Sequence, residues 1–399
     1  MTKPTEGAPQ TSSPIPPPAA AAWRSPGRWI PVSIGVLFVL SAVAVRWDAR
    51  TGFTSLLSFG GPEFEQRLPV LRSMPIAEDK ATGYDGQFGA QLAVTPDPRA
   101  PEIRGALDNP AYRARRIALA WTAHVIGGGN PWLVLQVYAL QNLAVWLGLA
   151  WLVWRGLRPA SDARAVAVWA SCMLTIGALD CVRLSLTDLS AVLLLALAVA
   201  ALAKGRTWAA TGAFAAAGLT RETSLLGGFA LWPAGNPGNR ARLMAGARIA
   251  CAAAPLLAWM VFLALNVSRE GALGRNNFDW PCVALARHCS SCVGHLARGD
   301  FDSRQTLGLV GALSLGGQSI YLLLRPRWSE PWWRVGVGFA LLFWVLGDDV
   351  WRGYWAAARA LLPMTFAFNL LAPDDRRFWM RLVLANAGLV LHGMWRMLP

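Results

Sequence analysis

Runs of apolar residues near bilayer-crossing length alternate with short polar connections along most of the chain. A helix needs about 17–25 mainly apolar residues to cross the hydrocarbon core. The clearest runs are 29–45, 131–154 and 249–267, and others cover 165–179, 189–203, 305–324, 335–347, 355–372 and 379–395. The run 207–233 is interrupted by "TRET" (220–223), which predicts two short half-helices or a re-entrant pair. The pattern predicts an all-α polytopic integral membrane protein with roughly eleven spans, in a range of about 10–12 transmembrane helices.

The polar excursions fall into two classes. Basic clusters at Arg155/Arg158/Arg164, Lys204/Arg206, Arg240/Arg242/Arg248, Arg325/Arg327/Arg334 and Arg376/Arg377/Arg381 occupy alternate connections. Placed together, they mark the cytoplasmic side by the positive-inside bias. The other side then carries a long first loop, 46–116, a second loop, 268–304, and three short turns at 179–188, 220–223 and 347–355. In a Gram-negative cell that side is the periplasm. The stretch 112–129, basic at one end and closed by Gly-Gly-Gly-Asn-Pro, predicts an interfacial helix.

Composition sharpens this. Of 399 residues, 54% are hydrophobic and only 15% charged, against about 25% in soluble domains. The net charge of +14 would fit nucleic acid, but loop 46–116 holds ten basic and nine acidic residues, so the excess lies in the topological clusters and nucleic acid is not an expected partner. Residues 1–28, rich in Pro, Ala, Ser and Thr, predict a disordered cytoplasmic tail, leaving 29–399 as the transmembrane domain. Arg24, Arg28 and "AVA" (42–44) mimic a signal peptide, but the spanning length of the apolar run favours an uncleaved first helix.

Ionisable groups at a membrane are costly, and each is a functional-site hypothesis. Asp48 ends the first span, and Asp85 lies in "GYDGQFGAQLA" (83–93). Asp180, Arg183 and Asp188 surround the third and fourth spans. Arg221 and Glu222 interrupt an apolar hairpin; a salt-bridged helix break is the plain alternative, but such a pair inside an apolar run is costly enough to favour a functional role. Asp348, Asp349, Arg352 and Arg359 lie near the C-terminus. Acids and arginines thus converge from distant parts of the chain on one face. Transfer of a sugar from a lipid-phosphate carrier needs such parts: one base for the acceptor hydroxyl and positive charge for the leaving phosphate. The absence of a paired-carboxylate motif argues against a two-acid hydrolase. Asp85 with Asp48, or with Glu78/Asp79, offers a divalent ion a place, although no compact ligand spacing demands one.

Cys282, Cys289 and Cys292, with His288 and His295, resemble a metal knuckle. In a loop facing an oxidising compartment, a disulfide between two of the three is the stronger expectation. The odd cysteine pairs with Cys181 or stays free. No phosphate-cradling P-loop pattern is present.

Four stretches in order, "GYDGQFGAQLA", "ALDNPAYRARRIALAW" (106–121), "GLTRETSLL" (218–226) and "AAARALLPM" (356–364), resemble a family of bacterial integral-membrane proteins of cell-surface glycopolymer formation related to the GT-C glycosyltransferases. The resemblance implies a multi-span helical enzyme using a polyprenyl-phosphate sugar as donor and a glycan or lipid acceptor. It further implies an essential Asp in the first outer loop: Asp85, with Asp48 as the fallback just after the first span. Arg183, Arg221 and Arg359 become candidates for the carrier phosphate, and Tyr84 and Gln87 for substrate contact. Asp188 stands where the pattern carries a Glu, and Gly89 where it carries an aromatic. Two other readings compete with the enzyme: a transporter or flippase for a lipid-linked saccharide, and a non-catalytic component of an assembly complex.

Overall fold

The computed structural model describes residues 26–79, 83–157, 161–235, 237–267, 275–300 and 302–398. Nearly all of the predicted disordered tail, and residues 268–274 of the Cys-rich loop, lie outside the described residues. Among the described residues the fold is all-α, apart from a two-residue parallel pairing of Phe59–Gly60 with Glu78–Asp79.

Among the described residues three helices are long and apolar enough to cross a membrane: Pro131–Gly156, Asn239–Asn266 and Ser303–Leu324. Asp162–Met173 and Ile176–Arg183, bent by 51° at their junction, count as a fourth if they form one span. Other apolar runs predicted as spans form shorter or broken helices, including Trp29–Ala44, Asp188–Ala203 and Pro331–Val345. The run 355–372 divides into Tyr354–Ala360 and Leu362–Leu370, because Pro363 cannot donate the bond that would continue the first helix. Hydropathy registers the apolar run and not the break inside it, so eleven predicted spans correspond to fewer full-length helices.

Local chemistry sets several boundaries. Asn130 caps Pro131–Gly156 by accepting from the Leu133 amide, and Pro131 occupies its first turn. Ahead of it, Gly128 and Gly129 sit at φ +60° and +70°. The predicted interfacial helix over 112–129 is interrupted: Pro110–Arg113 is followed by the 3-10 turn Ala114–Arg116, and only Ile117–Ile126 continues as an α-helix. That helix packs on Gly86–Val94 and Pro131–Gly156 and turns Trp121, Val125 and Ile126 outward.

Polar pairing fixes the helices inside. Gln318 accepts from Thr365 Oγ1 at 2.8 Å and donates to Ala385 O at 2.9 Å, while Asn386 donates to Asn369 Oδ1 at 2.8 Å. These bonds tie Ser303–Leu324, Leu362–Leu370 and Phe378–Met397, where apolar packing alone leaves register free. Asn142 donates to Leu186 O at 2.8 Å and accepts from Ser190 Oγ at 3.1 Å, holding the turn before Asp188–Ala203.

Helix Gly86–Val94 carries the YDGQF segment inward. A β-carbon at Gly86 would lie 2.3 Å from Leu184 O and 2.9 Å from Leu57 O, so the glycine serves protein–protein approach. Gly86→Ala is therefore expected to destabilise the protein by about 1–3 kcal/mol, read as a lowered thermal midpoint in detergent; an unchanged midpoint would show that the two backbones separate freely.

Candidate functional site

Four of the five residues of YDGQF have a defined side-chain partner. Tyr84 OH accepts from Arg359 Nη2 at 2.9 Å. Asp85 Oδ1 accepts from Arg113 Nη1 at 2.8 Å, and no donor among the described residues reaches Oδ2. Gln87 is buried, with Oε1 accepting from the Gly60 amide at 3.2 Å; it fixes the loop and does not line the cavity. Phe88 lies 4.3 Å beneath the Arg113 guanidinium. Gln91 accepts from the Leu68 amide and donates to Ala106 O, each at 2.9 Å.

Tyr84, Asp85 and Arg113 border a cavity of about 530 Å³. Its walls carry six arginines, Arg113, Arg115, Arg116, Arg221, Arg352 and Arg359, against three carboxylates, Asp85, Glu222 and Asp349. A narrower recess behind Asp85 reaches Gly89, Tyr138 and Asp188. A β-carbon at Gly89 would overlap the Tyr138 hydroxyl, so that hydroxyl fills the space beside the glycine.

The charges are wired across the chain. Asp188, 3% exposed, pairs with both Arg221 and Arg359, the latter at 3.6 Å. Glu222 receives a bidentate pair from Arg116, with both bonds at 3.0 Å. The predicted Arg221–Glu222 salt bridge is thus replaced by two longer-range pairs. The chain is extended at Arg221 (φ −153°), between helix Thr207–Thr220 and the 3-10 helix Glu222–Leu231, so neighbouring side chains take different partners. The second predicted half-helix is accordingly 3-10. Arg113 holds Asp108 as well as Asp85, at 2.8 and 2.6 Å.

Burial acts to raise the Asp85 pKa, but Arg113, Arg359 and Arg116 outweigh it and hold the carboxyl below its usual value of 3.8. Asp85 is therefore ionised at neutral pH. The Nε atoms of Arg221 and Arg359 are buried and, among the described residues, without a hydrogen-bond partner.

Several expected site residues lie elsewhere. Asp48 is exposed, and its Oδ1 accepts from the Arg50 and Thr51 amides and the Thr51 hydroxyl, forming a turn outside the cavity. Asp79 accepts from Ser58 Oγ at 2.7 Å. Among the described residues no group of three His, Cys, Asp or Glu comes together, so the suggested ion ligands are not assembled. Arg183 belongs to a neighbouring cavity of about 460 Å³, where it and Arg396 share Asp180 at 3.3 and 3.5 Å. Arg352 stands on the rim beside Asp349, at 3.4 Å.

Sequence reasoning missed Tyr112, Arg113, Arg115 and Arg116. Their signal was the capped "DNPAYRARR" segment: Asn109 accepts from the Tyr112 amide, and the 3-10 turn after Arg113 brings all three arginines to the cavity wall. The second loop covers the same opening. Asn277 donates to Tyr112 OH at 3.1 Å, and the Gly347 amide donates to Asn277 O at 2.8 Å.

All six cysteines are free. Cys282 precedes helix Val283–Ala297, seven residues from Cys289, about 10 Å along a helix and beyond the roughly 7 Å reach of a disulfide. Cys292 turns inward and donates to Gln305 Oε1 at 3.4 Å, while Cys181 is buried in another helix and bonds Gly177 O. Neither the expected disulfide nor a link to Cys181 is formed. No protein-family model, curated protein or solved structure matches the chain.

Proposed function

We propose that this protein is a multi-span, GT-C-like glycosyltransferase of the bacterial inner membrane, with its N-terminus cytoplasmic and its site on the periplasmic face. It would transfer a sugar from a polyprenyl-phosphate donor to a glycan or lipid-linked acceptor. The observation that carries the reading is Asp85, a carboxylate held through one oxygen only, bordering a cavity in which arginines outnumber acids six to three. An anionic leaving group and one proton to be removed are what such a cavity suits.

In the proposed reaction the acceptor hydroxyl attacks C1 of the sugar. The C1–O bond to phosphate breaks, and polyprenyl phosphate leaves with the bonding pair. Asp85 takes the hydroxyl proton. A weak base suffices in an oxocarbenium-like transition state, because the hydroxyl becomes strongly acidic as its oxygen bonds to C1. Arg221 and Arg359, each with an unpartnered Nε, are the proposed phosphate ligands. Tyr84 and Asp188 hold these arginines in place. The charged groups cluster at the ends of helices Asp188–Ala203 and Thr207–Thr220, away from the midpoint where transporters bind their cargo.

In a deletion strain complemented to equal membrane levels, Asp85→Asn is expected to abolish the surface glycan while lipid-linked sugar accumulates, a loss of about a hundredfold or more in rate. Full complementation by Asp85→Asn would refute a catalytic base and return the segment to a structural role. Arg221→Lys keeps the charge but loses the planar fork, and is expected to lower kcat/KM for the donor about tenfold; an unchanged value would remove Arg221 from phosphate contact.

The pH dependence follows from the sign of the Asp85 shift. A carboxyl held below 3.8 loses its charge only as pH falls through that lowered value. The kcat/KM profile is therefore expected to be flat from about pH 8 to about pH 5 and to decline below that. An acid limb between about pH 6 and 7 would assign the base to another group.

A further inference from the structure

Opposite the Asp85 cavity lies a second and larger one, of about 840 Å³. Three helices link the two. Asp188–Ala203 starts at the first cavity and ends at Leu202 and Ala203 of the second. Thr207–Thr220 runs back from the second towards Arg221. Pro331–Val345 leaves the second at Pro331 and reaches the first near Leu342. The 16 residues of Asp188–Ala203 rise about 24 Å, somewhat less than a hydrocarbon core of about 30 Å.

The second cavity has the charge of an anion site with no acid in its wall. Arg240, Arg248 and Arg334 line it, and no carboxylate does; Glu330, which precedes Pro331, acts on Arg334 from outside the lining. Three helices also begin here, at Thr207, just after Gly238, and at Pro331, so their positive dipole ends converge. Arg334 is 7% exposed and donates to Trp232 O, yet among the described residues its Nε has no partner, and the buried Arg248 Nε has none either.

Apart from Thr207 and Ser329, the remaining wall, including Leu231 and Met244, is apolar. One flank is helix Asn239–Asn266, whose Leu243, Leu257 and Leu265 face outward. Trp208 and Trp328, more than half exposed, stand beside the cavity, as tryptophans do at a membrane–water boundary. A free phosphate would use the arginines and ignore the apolar wall. An amphiphile would use both.

We propose that this cavity binds the phosphate headgroup of an anionic membrane lipid, with its acyl chains against helix Asn239–Asn266. The inference stands apart from the glycosyl-transfer reading, since it uses none of the residues around Asp85.

The test is the thermal midpoint of the full-length protein in a neutral detergent, with added phosphatidylglycerol, phosphatidylcholine of the same chains, or inorganic phosphate. Phosphatidylglycerol is expected to raise the midpoint by several degrees and phosphatidylcholine much less. Arg240→Gln/Arg248→Gln, changing two side chains that are not fully buried, is expected to weaken apparent phosphatidylglycerol affinity roughly tenfold. Arg240→Gln alone gives a smaller loss in the same direction and covers the case in which the double variant does not fold. Equal stabilisation by the two lipids, or an unchanged response in both variants, would overturn the proposal. If inorganic phosphate alone reproduces the shift and phosphatidylglycerol adds nothing, the ligand is soluble and the lipid assignment is wrong.

Discussion

The buried carboxylate of Asp188 is the constraint on which the site depends. It sits in the first turn of Asp188–Ala203, 3% exposed, and pairs with arginines from two distant segments. Arg221 arrives on an extended residue between two helices, and Arg359 on the short helix Tyr354–Ala360. Withdrawing one partner from such a buried pair typically costs about 3–5 kcal/mol, because the charge left behind has neither water nor a counterion. The three segments are therefore held together by a shared pairing from which no single member can be withdrawn cheaply. One carboxylate shared between two guanidinium groups also leaves an excess of positive charge.

Asp85 inherits its position from that arrangement. Arg359 donates to Tyr84, the residue before it, while Arg113 holds Asp85 and Asp108 together. Arg116 then ties the same loop to Glu222, beside Arg221. Loop 46–116 is thus fastened to the helices by alternating charges, at depths where each pair is only partly screened by water. Glycines at 86 and 89 complete the fit: one lets two backbones meet, and the other makes room for the Tyr138 hydroxyl.

The sequence made legible what depends on residue type and lost what depends on geometry. Asp85, Asp188, Arg221, Glu222, Arg352 and Arg359 stood out because a charge within apolar chain is costly wherever it lies, and all six border the cavity or its recess. Arg183 carried the same signal but lies on the other side of the bent pair's end, with Asp180. Arg113, Arg115 and Arg116 were hidden because three basic residues at the head of an apolar segment also describe an interfacial helix; the 3-10 turn that re-aims them is a tertiary feature. The adjacency of Arg221 and Glu222 suggested a local pair, yet an extended backbone sends neighbouring side chains in different directions. Spans were overcounted for a similar reason, since hydropathy averages across a break such as the one before Pro363.

The two cavities express opposite solutions to the problem of holding positive charge at the ends of the same helices. At the Asp85 end, carboxylates neutralise part of the arginine charge, fix each guanidinium in direction and leave a defined excess. Such preorganisation suits a group whose charge develops during a reaction. At the other end no carboxylate enters the wall, and three helix N-termini add to the arginines. Only Glu330, from outside the wall, and the C-terminal end of Asp188–Ala203 oppose that charge, and the net positive field suits a permanent anion that remains bound, while the apolar side suits one attached to a hydrocarbon chain. Because Asp188–Ala203, Thr207–Thr220 and Pro331–Val345 run from one cavity to the other, a lipid seated at the second end braces the helices that carry Asp188 and Arg221 at the first. Such a brace acts on the arginines directly and on Asp85, which is carried by the first loop, only through them, by way of Arg359 and Tyr84.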